Sequence, residues 1–177
     1  MDSVLKKVVK HPEKIVYGLE RKGLLDWLSE KEYIKITYRL AFGRKLNLDD
    51  PKALTEKINW YKLYYRDPLM RKCVDKYEVR QYVRESIGDA YLNECFGVWN
   101  SIEEIDYNAL PNQFVLKPTN GSGDIVICKN KSHFNWEEAK RTLTKYSKRS
   151  FATKTKEWAY YDVPFRIIGE RLNKKFR

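Results

Sequence analysis

The sequence is poor in the residues that bind metals and carry redox chemistry. It has two histidines, His11 and His133, and three cysteines, Cys73, Cys95 and Cys128, with no CxxC pair. Zinc needs three or four such ligands at defined spacing, so the sequence argues against a zinc site. The cysteines are odd in number, far apart and set among apolar residues, which predicts buried free thiols and no disulfide framework. Long apolar runs are also missing. None approaches the roughly 18 residues of a membrane span. The opening "MDSVLKKVVKHPEK" is broken by charge every few residues and so lacks the apolar core of a signal peptide. These absences make the cytoplasm the expected location. There is no internal repeat and no low-complexity segment.

Of the 177 residues, 42% are hydrophobic and 14% aromatic, enough to build a core, so a disordered chain is not expected. The net charge is +11, and its distribution is uneven. Residues 138–177 hold twelve Lys or Arg against four Asp or Glu, a net of +8, which leaves +3 for the other 137. Such a basic stretch suits nucleic acid, a membrane surface, a phosphorylated ligand, a solvated helix face, or an acidic complement elsewhere.

Short amphipathic helices are expected in "VLKKVV" and "YGLERKGLLDWLSE", with Gly18 and Gly23 as breaks, and in "KEYIKITYRLAFGRKL", where Gly43 suits a helix end. "LDDPKALTEKINWYKLYYRDP" predicts a helix capped by Asp50 with Pro51 in its first turn. Leu54, Ile58, Tyr61 and Tyr65 would form its buried stripe. "VDKYEVRQYVRESIG" predicts another, with Asp75 and Glu78 spaced as a capping box and Val79, Tyr82, Val83 and Ile87 on one face. "CFGVW", "QFVLK", "DIVICK" and "PFRIIGE" read as strands. Asn135 caps a helix in "WEEAKRTLTKYSKRS" that turns Ala139, Leu143 and Tyr146 to one side. Helices mixed with three or four strands imply an α+β or mixed α/β domain, with a small mixed sheet in the α+β case.

"FVLKPTNGSGDIVICKNKS" carries the most chemistry. A Gly-Ser-Gly connection between two strands can simply turn the chain. It can also gather backbone N–H groups into a concavity for an anion. The connection exceeds the two-residue minimum, and Lys117 ends the first strand, where its ammonium could lie beside whatever the loop covers. Phosphate needs both parts, neutral donors for geometry and a cation for charge. The stretch is neither a P-loop nor a dinucleotide fingerprint, because a strand follows it and not a helix. Lys129 and Lys131, after the second strand, read as surface charges.

This hairpin resembles the phosphate-binding loop of ATP-grasp enzymes. Together with "NLDDPKALTEKINWYKLYYRDPLMRKCVDKYEVRQYV" and "YLNECFGVWNSIEEIDYNALPNQFVLK", it resembles the TupA-like ATP-grasp family in particular. That family is associated with teichuronopeptide and other cell-surface polysaccharide biosynthesis, and some members carry a glycosyltransferase label. No DxD motif supports a glycosyltransferase here. The resemblance implies ATP with magnesium as cofactors and a carboxylate–amine ligase chemistry through an acyl phosphate. It implies phosphate contacts from Lys76 and Lys117, with Gly121, Ser122 and Gly123 as a lid. It makes "RIIGERL" the hinge that reads adenine, with Glu170 and Leu172 as the candidate residues.

The resemblance divides the chain into a helical region over 1–66, the first ATP-grasp part over 67–112, a lid subdomain over 113–164, and the start of the hinge with a truncated C-terminal domain over 165–177. Two departures stand out. Asp124 follows the glycines, and a carboxylate about 4 Å from phosphate at an effective dielectric near 20 costs on the order of 4 kcal/mol. The acidic magnesium ligands expected after the hinge are not in this sequence. It therefore reads as the N-terminal and lid portion of such an enzyme, inactive alone, with a complementing C-terminal polypeptide as a possible partner and a surface-polymer precursor as substrate. A non-catalytic nucleotide- or partner-binding remnant is the alternative. A basic nucleic-acid module is a third reading, opposed by tyrosines that fall on helix stripes expected to pack in the core.

Overall fold

The computed structural model describes residues 11–20, 22–148 and 156–173. The chain divides into two compact units, residues 1–66 with 152–158, and residues 67–151 with 159–177. The expected helix in "VLKKVV" lies outside the described residues.

In the first unit, α1 spans Glu13–Glu20, α2 Glu30–Phe42 and α3 Leu54–Tyr64. The α2 boundaries are chemical. Ser29 and Glu32 form a capping box at its start, and Gly43 ends it at φ +68, a left-handed position that glycine takes without steric cost. Gly23, at φ +69, turns the chain after α1, whereas Gly18 sits inside that helix. Tyr33, Ile34, Tyr38, Leu46 and Leu48 form the core, with Trp60 and Leu63 packed against it.

Two expectations for α3 need correction. Its N-cap is Ala53, not Asp50, and Pro51 precedes the helix. Glu56 supplies the missing cap by turning back to accept from the backbone N–H groups of Lys52 and Ala53 at 3.1 and 3.0 Å. The stripe Leu54, Ile58, Tyr61 and Tyr65 is exposed, not buried. The helix rolls so that Glu56, which is buried, Trp60 and Leu63 face inward.

In the second unit, α4 spans Leu69–Val74, α5 Glu78–Ile87 and α6 Trp136–Ser147; the strands are β1 Cys95–Trp99, β2 Phe114–Pro118, β3 Val126–Cys128 and β4 Ile167–Glu170. The sheet order is β1-β4-β2-β3. Every pairing is antiparallel, so the sheet is not mixed as expected. The α+β class stands.

Side chains alternate across this sheet. Opposed residues in an antiparallel register share a face. Phe114 pairs with Cys128, Leu116 with Val126 and Gly169, and Trp99 with Ile167. This face packs with Ile102, Ile105, Leu110 and Leu143 as one core. Asn135 caps α6 by accepting from the Glu138 N–H at 3.0 Å, and Ala139 and Leu143 are buried as expected. Gly97 and Gly169 sit under the Trp99 indole. A Cβ on Gly169 would lie 2.8 Å from Trp99 Cζ3, so the ring reaches the core only because both strands offer bare backbone.

Three smaller expectations also fail. Cys73 is exposed and Cys95 only half-buried, leaving Cys128 as the one buried thiol. On α5, Tyr82 and Ile87 are exposed while Val79 and Val83 are half-buried. Tyr61, Tyr64, Tyr65, Tyr77, Tyr82 and Tyr91 are all exposed, so tyrosine serves the core less than its helical spacing suggested. No described helix is long and apolar enough to cross a membrane.

Candidate functional site

The second face of the sheet carries Val115, Lys117, Ile127, Ile168 and Glu170, because each is opposed in register to another of this set or to Val98. Lys117 stands opposite Ile168 and Glu170 opposite Val115, which makes Lys117 and Glu170 diagonal neighbours on β2 and β4. Long side chains span that diagonal. The Lys117 ammonium lies 2.5 Å from Glu170 Oε2.

Glu170 is buried and holds a second cation. Arg80, on the half-buried side of α5, donates from Nη1 to Glu170 Oε1 at 2.9 Å and from Nη2 to the Asn93 carbonyl at 2.6 Å. A carboxylate this deeply buried requires such pairing. Beside it, Asn93, Val115, Lys117, Ile125, Ile127, Glu170, Arg171 and Asn173 line a cleft of about 170 Å³. Val115, Ile125 and Ile127 are its apolar lining, and the other lining residues are polar or charged.

Lys76 arrives from the α4–α5 junction. Its backbone N–H donates to the Thr119 carbonyl at 3.1 Å. Its ammonium donates to the Gly121 carbonyl in the β2–β3 connection and lies 3.5 Å from the Thr119 carbonyl. Burial first, and then the positive charge of Lys117, push the Lys76 pKa below the ordinary lysine value, while Asp75, Asp124 and Glu170 oppose the shift. The two lysines therefore share one field.

Behind Lys76 lies a locked polar network. Asp75, fully buried, accepts from the N–H groups of Tyr77 and Glu78 at 2.8 and 3.3 Å. It also accepts from Thr119 Oγ1 at 3.3 Å and from Arg166 Nη2 at 2.8 Å. Arg166 bonds Glu78 as well, at 2.9 Å, and stacks over the Tyr77 ring. The N-cap of α5 is Tyr77 and not Asp75; Asp75 accepts from the turn that leads into the helix, and Glu78 pairs with Arg166, so the expected capping box does not form. The Thr119 N–H donates to the Arg166 carbonyl at 2.8 Å, which fixes the root of the hairpin to the strand segment leading into β4.

The predicted residues thus fall into two groups. Lys76, Lys117, Gly121 and Glu170 are brought together by contact or charge. Ser122 and Gly123 are exposed at the tip of the connection, and Gly123 takes φ +83. Leu172 is buried. At the preceding residue, the Arg171 N–H donates to the Glu94 carbonyl at 3.0 Å, and the Arg171 carbonyl accepts from Asn93 Nδ2 at 2.8 Å. Asp124 acts on Lys76 through its charge, a neutralising role that its sequence position did not suggest. Lys131 is not a plain surface charge. It donates to the carbonyls of Leu110 and Asn108 at 2.6 and 3.0 Å and lies over the Tyr107 ring.

Sequence reasoning missed Arg80 and Arg166. Both read as helix or strand charges, and their partners lie 90 and 91 positions away. The only local signal is that Arg80 adjoins Val79 and precedes Val83 by three, on the half-buried face.

The two lysines fit an anionic chain of phosphates, while the glycine connection presents the Gly121 carbonyl to Lys76. Magnesium does not fit as well. Among the described residues no group of three or more His, Cys, Asp or Glu is placed to hold a metal ion. A protein-family model described as TupA-like ATPgrasp matches residues 56–177. No curated protein and no solved structure matches the chain.

Proposed function

The chain belongs to the TupA-like ATP-grasp family, and from that premise we propose that the open face of its sheet binds ATP. The phosphates lie against Lys117, Lys76 and the Gly121–Gly123 connection. Adenine lies in the cleft over Val115, Ile125 and Ile127, with the polar rim of Asn93, Arg171 and Asn173 at its edges. Glu170 holds Lys117 beside the cleft until the phosphates draw the ammonium away.

The observation that carries this reading is the approach of two lysines from different elements, Lys76 bonded to the Gly121 carbonyl and Lys117 paired with Glu170, with the Lys76 pKa depressed first by burial and then by Lys117. A phosphate between them relieves that repulsion and supplies the counter-charge that a buried ammonium needs. The site's contribution is charge stabilisation and positioning, the main requirement of phosphoryl transfer. The reaction class the family points to is carboxylate–amine ligation. ATP transfers its terminal phosphoryl group to a carboxylate oxygen. An amine then attacks the acyl carbon, phosphate leaves with the bonding electrons, and the amine proton is released to solvent. A carboxylate on a cell-surface polymer or its precursor is the proposed substrate class. The described residues are not a fitting set for magnesium.

Calorimetric titration with ATP tests the proposal. Saturable binding is expected, weakened at least about tenfold by Lys117→Ala, since charge-assisted contacts to phosphate contribute roughly 1.5–3 kcal/mol each. Binding that is indifferent to Lys117 would remove its basis.

A further inference from the structure

We propose that Arg80 is a positioning residue that keeps Glu170 neutralised when Lys117 leaves it for the phosphates. The inference rests on the ATP-binding reading above and concerns how that site is emptied of its internal anion.

The geometry is a three-membered charge relay with one mobile member. Glu170 offers one oxygen to each cation, Oε1 to Arg80 at 2.9 Å and Oε2 to Lys117 at 2.5 Å. The Glu170 side chain is 8% exposed, so its charge cannot be left to solvent. Arg80 cannot follow a ligand, because its other nitrogen is fixed on the Asn93 carbonyl at 2.6 Å. Its side chain is 13% exposed, against 25% for Lys117. Lys117 also lines the cleft and Arg80 does not. Lys117 is therefore the cation able to swing, and Arg80 the one that stays. Without Arg80, moving Lys117 to a phosphate would strand a buried carboxylate, a costly event. With Arg80 in place, Lys117 exchanges one anion for another and Glu170 keeps a partner throughout.

This makes a prediction that a merely structural arginine does not. Removing Arg80 should tighten the hold of Glu170 on Lys117 and so weaken phosphate binding. Removing the Glu170 charge as well should release Lys117 and restore binding. The test titrates ATP and inorganic tripolyphosphate, which lacks base and ribose, into the parent chain, Arg80→Gln, Glu170→Gln and the double variant. Melting curves identify any variant that fails to fold, and Arg80→Lys, which keeps the charge, provides the conservative comparison.

The expected results are a loss of about tenfold in tripolyphosphate affinity for Arg80→Gln, near-parent affinity for Arg80→Lys, and recovery in the double variant. The gain from Glu170→Gln should be larger in the Arg80→Gln background than in the parent, the signature of coupling. Unchanged affinity in Arg80→Gln, or a loss that Glu170→Gln does not rescue, would overturn the exchange while leaving ATP binding intact. A parent chain that binds neither ligand would overturn the underlying reading itself.

Discussion

Asp75→Ala should be the most damaging single substitution near the site, although Asp75 touches no ligand in this account. Four groups donate to its carboxylate: the N–H groups of Tyr77 and Glu78, the Thr119 hydroxyl and Arg166. Its side chain is 2% exposed and that of Arg166 17%. Removing one member of a buried pair costs about 3–5 kcal/mol when the other is stranded. Here Glu78 still holds the same Arg166 nitrogen at 2.9 Å, so the charge is not wholly stranded. That brings the ion-pair share to about 2 kcal/mol, and losing the acceptor of two backbone N–H groups at the start of α5 adds about 1 kcal/mol. A total near 3 kcal/mol corresponds to about 6–12 °C in melting temperature for a chain of this size. Circular dichroism melting of Asp75→Ala beside Glu78→Ala is the assay. Glu78 is 41% exposed, so its contribution belongs to the surface class of at most about 1 kcal/mol. Arg166→Met in the Asp75→Ala background should recover part of the loss, because no buried charge is then unpaired. Equal losses for Asp75→Ala and Glu78→Ala would refute the claim that this buried network anchors Lys76 and the hairpin.

Other expectations follow from the same geometry. Gly169→Ala places a Cβ 2.8 Å from the Trp99 ring, so it should cost about 1–3 kcal/mol of stability, read as a lowered urea midpoint. An unchanged midpoint would mean that the indole has room to move. Because the Lys76 pKa is depressed in the fold, the folded chain holds fewer protons than the unfolded chain between that lowered value and 10.5. Stability attributable to Lys76 therefore rises with pH across this window. Nucleotide affinity runs the opposite way, falling as the ammonium loses its proton. Lys76→Arg, which stays charged, should hold affinity to higher pH than the parent, and superimposable pH profiles would contradict this.

Much of the second unit was legible because its signals are local. Alternation in "FVLK" and "RIIGE" fixed both strands and, through the pleat, which residues face the same way. Asn135 marks the start of α6 by side-chain chemistry, as Gly43 in the first unit marks the end of α2 by backbone chemistry. The α3 stripe was misread for a physical reason. Apolar and aromatic residues occupy two faces of that helix, so periodicity gives the repeat but not the phase. What decides the phase is Glu56, whose reach back to two backbone N–H groups draws its face inward. The site was half legible. Lys117 and Glu170 sit on strands whose register sequence can suggest. Arg80, Asp75 and Arg166 act through pairings that exist only once β4 docks beside β2. No local pattern distinguishes such a charge from a solvated one.

Hydrogen exchange with and without ATP reports where on the chain the nucleotide acts. The account predicts slowed exchange in residues 117–125 and 167–172, lost in Lys117→Ala, with no comparable change in residues 30–64. Saturating ATP that leaves the hairpin and β4 untouched, or that protects residues 30–64 instead, would contradict it.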